Sequence, residues 1–359
     1  MKKFLNVCAC VAVVALVAFG TVWLVGPEIP SKPVASEKTV EPPKDSVVSL
    51  TITAAGDCTL GTDVQFGLGS GFPAEVARQK EDYSYFMKNV KSFFENDDLT
   101  IINFEGTLTN SGAREPKQFA FKGDPEYVKI LTTSSIEAAN LANNHSRDYG
   151  EVSLKDTKKY LSDAGVTAFG MDDISIVDIK GVKVGLIGTN ALNYEGSLKY
   201  PEIFEKLKNQ KPDIIIANFH WGAENAAVAD GSQVQLAHEA IDNGADLVIG
   251  HHPHVLQGIE KYKDRYIVYS LGNFCFGGNS NPSDKDTMIF QQTFLVKNGE
   301  IDESYDDVSV IPCCISSVRT YNNYQPTPLE GDEFTRVQNK ILARSAGYEG
   351  TENIKFISE

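Results

Sequence analysis

Hydrophobic and polar positions alternate with period two at 47–53, where Val48, Leu50 and Ile52 interleave with Ser49, Thr51 and Thr53. This pattern predicts a β-strand at the start of the folded chain. Further apolar runs predict strands at 99–102, 174–179, 182–187, 214–219, 247–249, 266–269, 288–296 and 308–311. Helical periodicity marks 83–94, 126–131, 152–164 and 233–243. Strand and helix signals that alternate along a chain predict an α/β core. Beyond 318 one amphipathic helix is expected at 334–342, with Val337 and Ile341 on its apolar face.

The segment before this core has a different pattern. Residues 4–25 are 22 consecutive uncharged positions after Met1-Lys2-Lys3, which as a helix would be about 33 Å long and cross a bilayer. No small-residue cleavage pattern follows, so an uncleaved signal anchor is expected, with the lysines inside and the rest of the chain outside the cytoplasm. From 26 to 46 Pro27, Pro30, Pro33, Pro42 and Pro43 alternate with polar residues, as in an extended spacer. The expected organisation is an anchor at 1–25, a linker at 26–46, a folded domain at 47–317 and a tail at 318–359.

Composition narrows the function. The 359 residues hold 33 Lys and Arg against 48 Asp and Glu, a net charge of −15, which argues against nucleic acid as a partner. Six cysteines without a CxxC pair exclude a disulfide scaffold or a zinc finger.

The chemistry concentrates where apolar runs end. Gly56-Asp57, Asn103-Phe104-Glu105, Asn143-Asn144-His145, Phe219-His220 and Gly250-His251-His252-Pro253-His254 all follow predicted strands or their equivalents, and five of the six histidines fall in these junctions. Open α/β sheets place their sites at such strand ends. If the backbone stays extended, His252 and His254 share a face while His251 points away, Asp57 pairs with Thr59, leaving Cys58 opposite, and Asn103 pairs with Glu105. Asp57, Glu105, Asn144, His220, His252 and His254 combine oxygen and imidazole donors without thiolate, a set that suits Mn, Zn or Fe(II) better than Mg.

The ordered series Gly-Asp-Cys-Thr, Asn-Phe-Glu-Gly, Asn-Asn-His-Ser, His-Trp-Gly, Gly-His-His-Pro-His and Ser-Leu-Gly-Asn-Phe, spread over about 47–311, resembles the CapA family of capsule (poly-γ-glutamate) biosynthesis proteins. That family is similar to the calcineurin-like metallophosphoesterases. The resemblance implies a sandwich of two mixed sheets flanked by helices. It implies Asp57 and His254 on a first metal, Glu105 as the bridge, and Asn144, His220 and His252 on a second, with His145 as the acid that protonates a leaving group. Thr59 stands where the phosphoesterase pattern carries a histidine ligand, so one or two ions are expected. The implied partners are an anionic capsule polymer or a phosphoester substrate, the membrane, and other capsule-synthesis subunits. The implied role is metal-assisted hydrolysis or transfer; a non-catalytic assembly factor and a conventional phosphoesterase are the rival readings.

Several residues carry two readings. Arg114, Lys117 and Lys122, around Phe119-Ala120-Phe121, form either an anion-binding rim or a solvated hairpin. Asn273 is expected to orient a ligand imidazole. Trp221, Gly222 and Glu224 either line the substrate cleft or pack beside it. His251 is expected to be structural and His238 to lie at the surface or behind the ligands. Cys58 and Cys275 either pair or pack as small apolar residues.

Overall fold

The alternation at 47–53 extends into a long strand, Val47–Thr59, because both of its faces find apolar cover. Leu50, Ile52 and Ala54 lie in one buried cluster and Ala55 and Cys58 in another. The computed structural model describes residues 46–67 and 69–358; the expected anchor, and all of the expected linker but Ser46, lie outside these residues. Among the described residues no helix is long and apolar enough to cross a membrane.

Val47–Thr59 runs parallel to Leu99–Phe104, followed across the sheet by Ala138–Asn140 and Thr167–Phe169; on its other side it is antiparallel to Asp286–Lys297, which pairs in turn with Asp307–Cys314. A second sheet has the order Ile259–Tyr262, Arg265–Val268, Leu247–His251, Ile214–His220, Val182–Asn190, Ser175–Ile179. Both sheets mix parallel and antiparallel pairs, so the fold is mixed α/β, as the resemblance implied.

Three apolar layers hold it together. Leu50, Ile52, Leu99 and Ile101 of the first sheet share a cluster with Val184, Leu186, Ile214, Ile216, Leu247 and Ile249 of the second. Helices Lys91–Glu95, Val128–Thr132 and Gly150–Asp163 cover the outer face of the first sheet through Phe94, Ile130, Leu131, Leu154 and Leu161. Helices Tyr194–Lys208 and Gly231–Asp242 cover the second through Ile203, Phe204, Leu207, Leu236 and Ala240. Tyr194–Lys208 is not evident from pattern because Pro201 interrupts it. Its buried Ile203, Phe204 and Leu207 outweigh the helix-breaking cost of a single proline. The apolar-periodic segment at 83–94 divides into a turn of 3-10 helix, Tyr83–Tyr85, and a short α-helix, Lys91–Glu95.

The described residues from 46 to 358 pack as one compact unit, which includes those beyond 317. Thr327–Pro328 and Lys355–Phe356 add to Asp307–Cys314, and the helix Gly331–Arg344 inserts Val337 and Ile341 into the inter-sheet core. Arg336 clamps this helix by two hydrogen bonds of 2.7 Å to Asp286.

One irregularity aims the chain at its site. Ala55 pairs with Ile102 and Asp57 with Asn103, so Gly56 is an extra residue, a bulge. Without it Asp57 would follow Ala55 onto the helix-covered face; with it Asp57 turns to the inter-sheet side. A Cβ at Gly56 would lie 2.0 Å from the Gly272 carbonyl oxygen. The change Gly56→Ala is therefore expected to destabilise the protein by at least about 2 kcal/mol, read as a lower denaturation midpoint; an unchanged midpoint would show that the two backbones separate freely.

Candidate metal centre

The parallel strands of both sheets end on the same side, and their last residues meet. Asp57 is wholly buried; its Oδ1 accepts from Asn103 Nδ2 at 2.8 Å, and its Oδ2 lies 3.1 Å from His254 Nδ1. Burial works to raise its pKa, but the imidazoles of His251 and His254 outweigh this and hold the carboxyl well below its usual range.

Glu105 follows Leu99–Phe104 directly. Its backbone is fixed from both sides, its N–H donating to the Cys58 carbonyl at 2.9 Å and its carbonyl accepting from Thr59 Oγ1 at 2.7 Å. Thr59, at the position of a histidine ligand in the phosphoesterase pattern, thus has its hydroxyl committed to the backbone. The Glu105 side chain is wholly buried, and neither carboxylate oxygen has a hydrogen-bond partner. Around Oε1 stand Nε2 of His254 at 3.7 Å, His145 at 3.8 Å and His220 at 3.9 Å. Burial pushes the Glu105 carboxyl up to about 8. Burial also disfavours the His254 imidazolium, but Glu105 and Asp57 outweigh it and push His254 up to about 10.

An unpaired buried carboxylate is costly unless a cation meets it. Two ligand groups share Glu105: one with His220 and His252, the other with Asp57 and His254, the atoms of each lying within 4.8 Å of one another. The donors present fit one or two divalent ions with Glu105 between them. Asn144 Oδ1 is 2.8 Å from His220 Nε2, on the side of the first group.

An asparagine layer supports these ligands from behind. Asn103 Nδ2 also lies 3.3 Å from His220 Nδ1, and Asn103 Oδ1 accepts from Asn140 and Asn143 at 3.1 and 3.2 Å. Asn143 Oδ1 accepts the His145 N–H at 3.0 Å, and Asn273 holds His254 through contacts of 2.9 Å to Nδ1 and 3.2 Å to its carbonyl. His145 Nδ1 is 2.7 Å from Asp148, whose other oxygen pairs with Lys117 at 2.6 Å, leaving Nε2 towards Glu105. Burial lowers the His145 pKa, and Asp148 offsets part of that.

Two expectations need correction. Leu247–His251 ends before His252, and His252 and His254 have φ of 96° and 57°. They converge through a tight turn rather than by alternation in a strand. His251, expected to face away, lies 3.5 Å from Asp57. The cations proposed for an anion rim are engaged internally: Arg114 with Asp63, Lys117 with Asp148, and Lys122 with the Ser111 carbonyl and over the Tyr149 ring. Cys58 and Cys275 are buried free thiols, and His238 pairs with Glu260 at 2.9 Å. Asp148 and Asn140 do not stand out as functional in the sequence; the spacing His145-x-x-Asp148 in a loop is the available signal for the first. A cleft of about 410 Å³ opens on the centre, lined in part by His145, His254, Asn273, Glu224 and four phenylalanines.

Two stacked mixed sheets with a buried cluster of carboxylates and imidazoles at their strand ends define an α/β protein with a candidate metal centre. Residues 51–278 match the family described as bacterial capsule synthesis protein PGA_cap, and the chain belongs to that family. It is 32% identical over 255 residues to the capsule biosynthesis protein CapA of Bacillus anthracis, a match covering 63% of this chain and 60% of that one, less than two thirds of the relative's length. It is 29% identical over 318 residues to the PGA biosynthesis protein CapA of Bacillus subtilis (strain 168), covering 82% and 78%. A solved structure of a hypothetical protein from Thermus thermophilus shares 13% identity at a TM-score of 0.45, over 73% of this chain and 98% of that one.

If Glu105 is buried to meet a cation, Mn or Zn at a hundred times its Kd raises stability by about 2.7 kcal/mol. Glu105→Gln is expected to remove that gain while making the metal-free protein no less stable, since burial already pushes the Glu105 carboxyl up to about 8 and favours its neutral form. The double change His252→Ala and His254→Ala is expected to abolish stoichiometric metal. Thermal unfolding with and without chelator, paired with metal analysis, reads all three; full metal content in the double variant would move the site elsewhere.

Proposed function

We propose that this protein acts in the synthesis, export or anchoring of an anionic capsule polymer such as poly-γ-glutamate, by hydrolysis or transfer dependent on Mn, Zn or Fe. On this reading it works outside the cytoplasm, tethered by residues 4–25, beside other capsule-synthesis subunits. The observation that carries the metal dependence is Glu105, buried without a hydrogen bond among three imidazoles. The family supports the capsule role.

Asp57, Glu105, Asn144, His220, His252 and His254 would hold the ion or ions. A divalent cation there supplies a Lewis acid and lowers the pKa of a bound water towards neutrality. The chain's own contribution is the proton. His145 presents Nε2 to the centre while Asp148 accepts from Nδ1, which fixes the ring and supports its imidazolium; in that doubly protonated form Nε2 gives its proton to the departing amine or alkoxide and the ring is left neutral, with its remaining proton on Nδ1. Phe121, with its ring 4.4 Å from that of His145, keeps water from that side. Thr59, bound to the Glu105 backbone instead of carrying a ligand, favours the second reading, an assembly factor that keeps the fold and a reduced centre.

Two measurements test this reading. His145→Ala should retain its metal and folding yet lose at least about a hundredfold in hydrolysis of phosphoesters or γ-glutamyl chains, and Asp148→Asn should lose a smaller factor. Normal capsule production by a His145→Ala strain that hydrolyses nothing would leave the assembly factor as the function. Cell fractionation checks the tether: the protein should remain with the membrane and start at or next to Met1, whereas an amino terminus near Pro27 would make it secreted.

A further inference from the structure

Among its described lining residues the cleft beside the centre offers a polyanion one strongly basic side chain, the His254 imidazole. The same described residues include no Lys or Arg; the carboxylates among them are Glu224 and Asp284. Asp284 is matched by Lys340 at 3.1 Å. Glu224 is exposed, makes no hydrogen bond or ion pair among the described residues, and shares the lining of the cleft with His145, His254 and Asn273. Its loop is held there: the Asn225 N–H donates to the Pro253 carbonyl at 2.8 Å, inside the His252–His254 turn, and the buried Gln257 donates to the Ala226 carbonyl at 3.0 Å. Four phenylalanines share the same lining. Phe121 and Phe276 are buried, while Phe66 and Phe119 remain 49% and 39% exposed with ring centroids 6.0 Å apart.

An exposed carboxylate that shares a cleft with aromatic rings suits an ammonium group, through a charge-assisted hydrogen bond and contact with the ring faces. The same carboxylate repels a run of acidic side chains. We propose that Glu224 makes this cleft selective for a primary ammonium group, so that the ligand is gripped at an amine-bearing end and not along an internal, uniformly anionic stretch. This rests on the capsule-polymer reading above and adds to it the part of the ligand that is recognised. The ammonium has two sources, the amino terminus of the polymer or a separate amine acceptor.

The full-length, metal-loaded protein tests it by calorimetric binding of three probes: tri-γ-glutamate with a free amino terminus, its N-acetylated form, and cadaverine, a diamine without carboxylates. The expected result is that the free peptide binds at least about tenfold tighter than the acetylated one, or that cadaverine binds, and that Glu224→Gln removes this advantage while Glu224→Asp keeps part of it. The peptide preference identifies the polymer end and cadaverine binding the separate acceptor. Metal content and unfolding midpoint should be unchanged in both variants. Equal binding of the two peptides with no binding of cadaverine overturns the proposal, as does an advantage that survives in Glu224→Gln. Absence of any hydrolysis by the wild-type protein would count against the enzymatic reading alone, because the binding contrast needs no turnover.

Discussion

A carboxylate sealed from water with no donor of its own is the constraint around which this molecule is arranged. Glu105 cannot relieve its charge by solvent or hydrogen bonding, so the fold surrounds it with imidazoles that can share a cation with it. The rest follows from bringing those groups to one point. The bulge at Gly56 turns Asp57 inward, the turn after His251 folds two histidines back on the strand end, and three asparagines fill the space behind with directed hydrogen bonds. Each of these features departs from regular strand geometry. Regular geometry serves the apolar layers; the irregular residues serve the centre.

That division explains what the sequence disclosed. Alternation at 47–53 and the runs at 214–219 and 247–249 are written by burial against a broad apolar layer, and their strands lie where the pattern puts them. The six motif positions are also visible, because polar residues at the ends of apolar runs need a reason to be there. Orientation is not visible. Only an extended backbone would point His251 away, and the positive φ values at His252 and His254 cannot be read from residue types. Asp148 escapes notice because one aspartate in a loop has many ordinary roles, and Lys117 and Lys122 are legible as basic without any sign of the acceptors they reach. The two-residue strands and the helix around Pro201 exist through tertiary contacts, which no local window contains.

The resemblance contributed the order of the motifs, and the coordinates contributed their convergence. Neither supplies the other's content. Glu224 shows the difference: as a residue near a His-Trp-Gly motif it had two readings, and only its place in a cleft without Lys or Arg gives it a chemical consequence.

The pairing of Val47–Thr59 with Asp286–Lys297, together with the insertion of Val337 and Ile341 between the sheets, has a temporal meaning. The first strand must wait for partners more than two hundred residues later, and the core cannot close until the last helix arrives. A chain delivered from its amino terminus therefore carries Asp57, Glu105 and the histidines as separated, unassembled donors through most of its journey. The donor set is assembled only once the last helix has been made, so a nascent chain has nowhere to hold an ion.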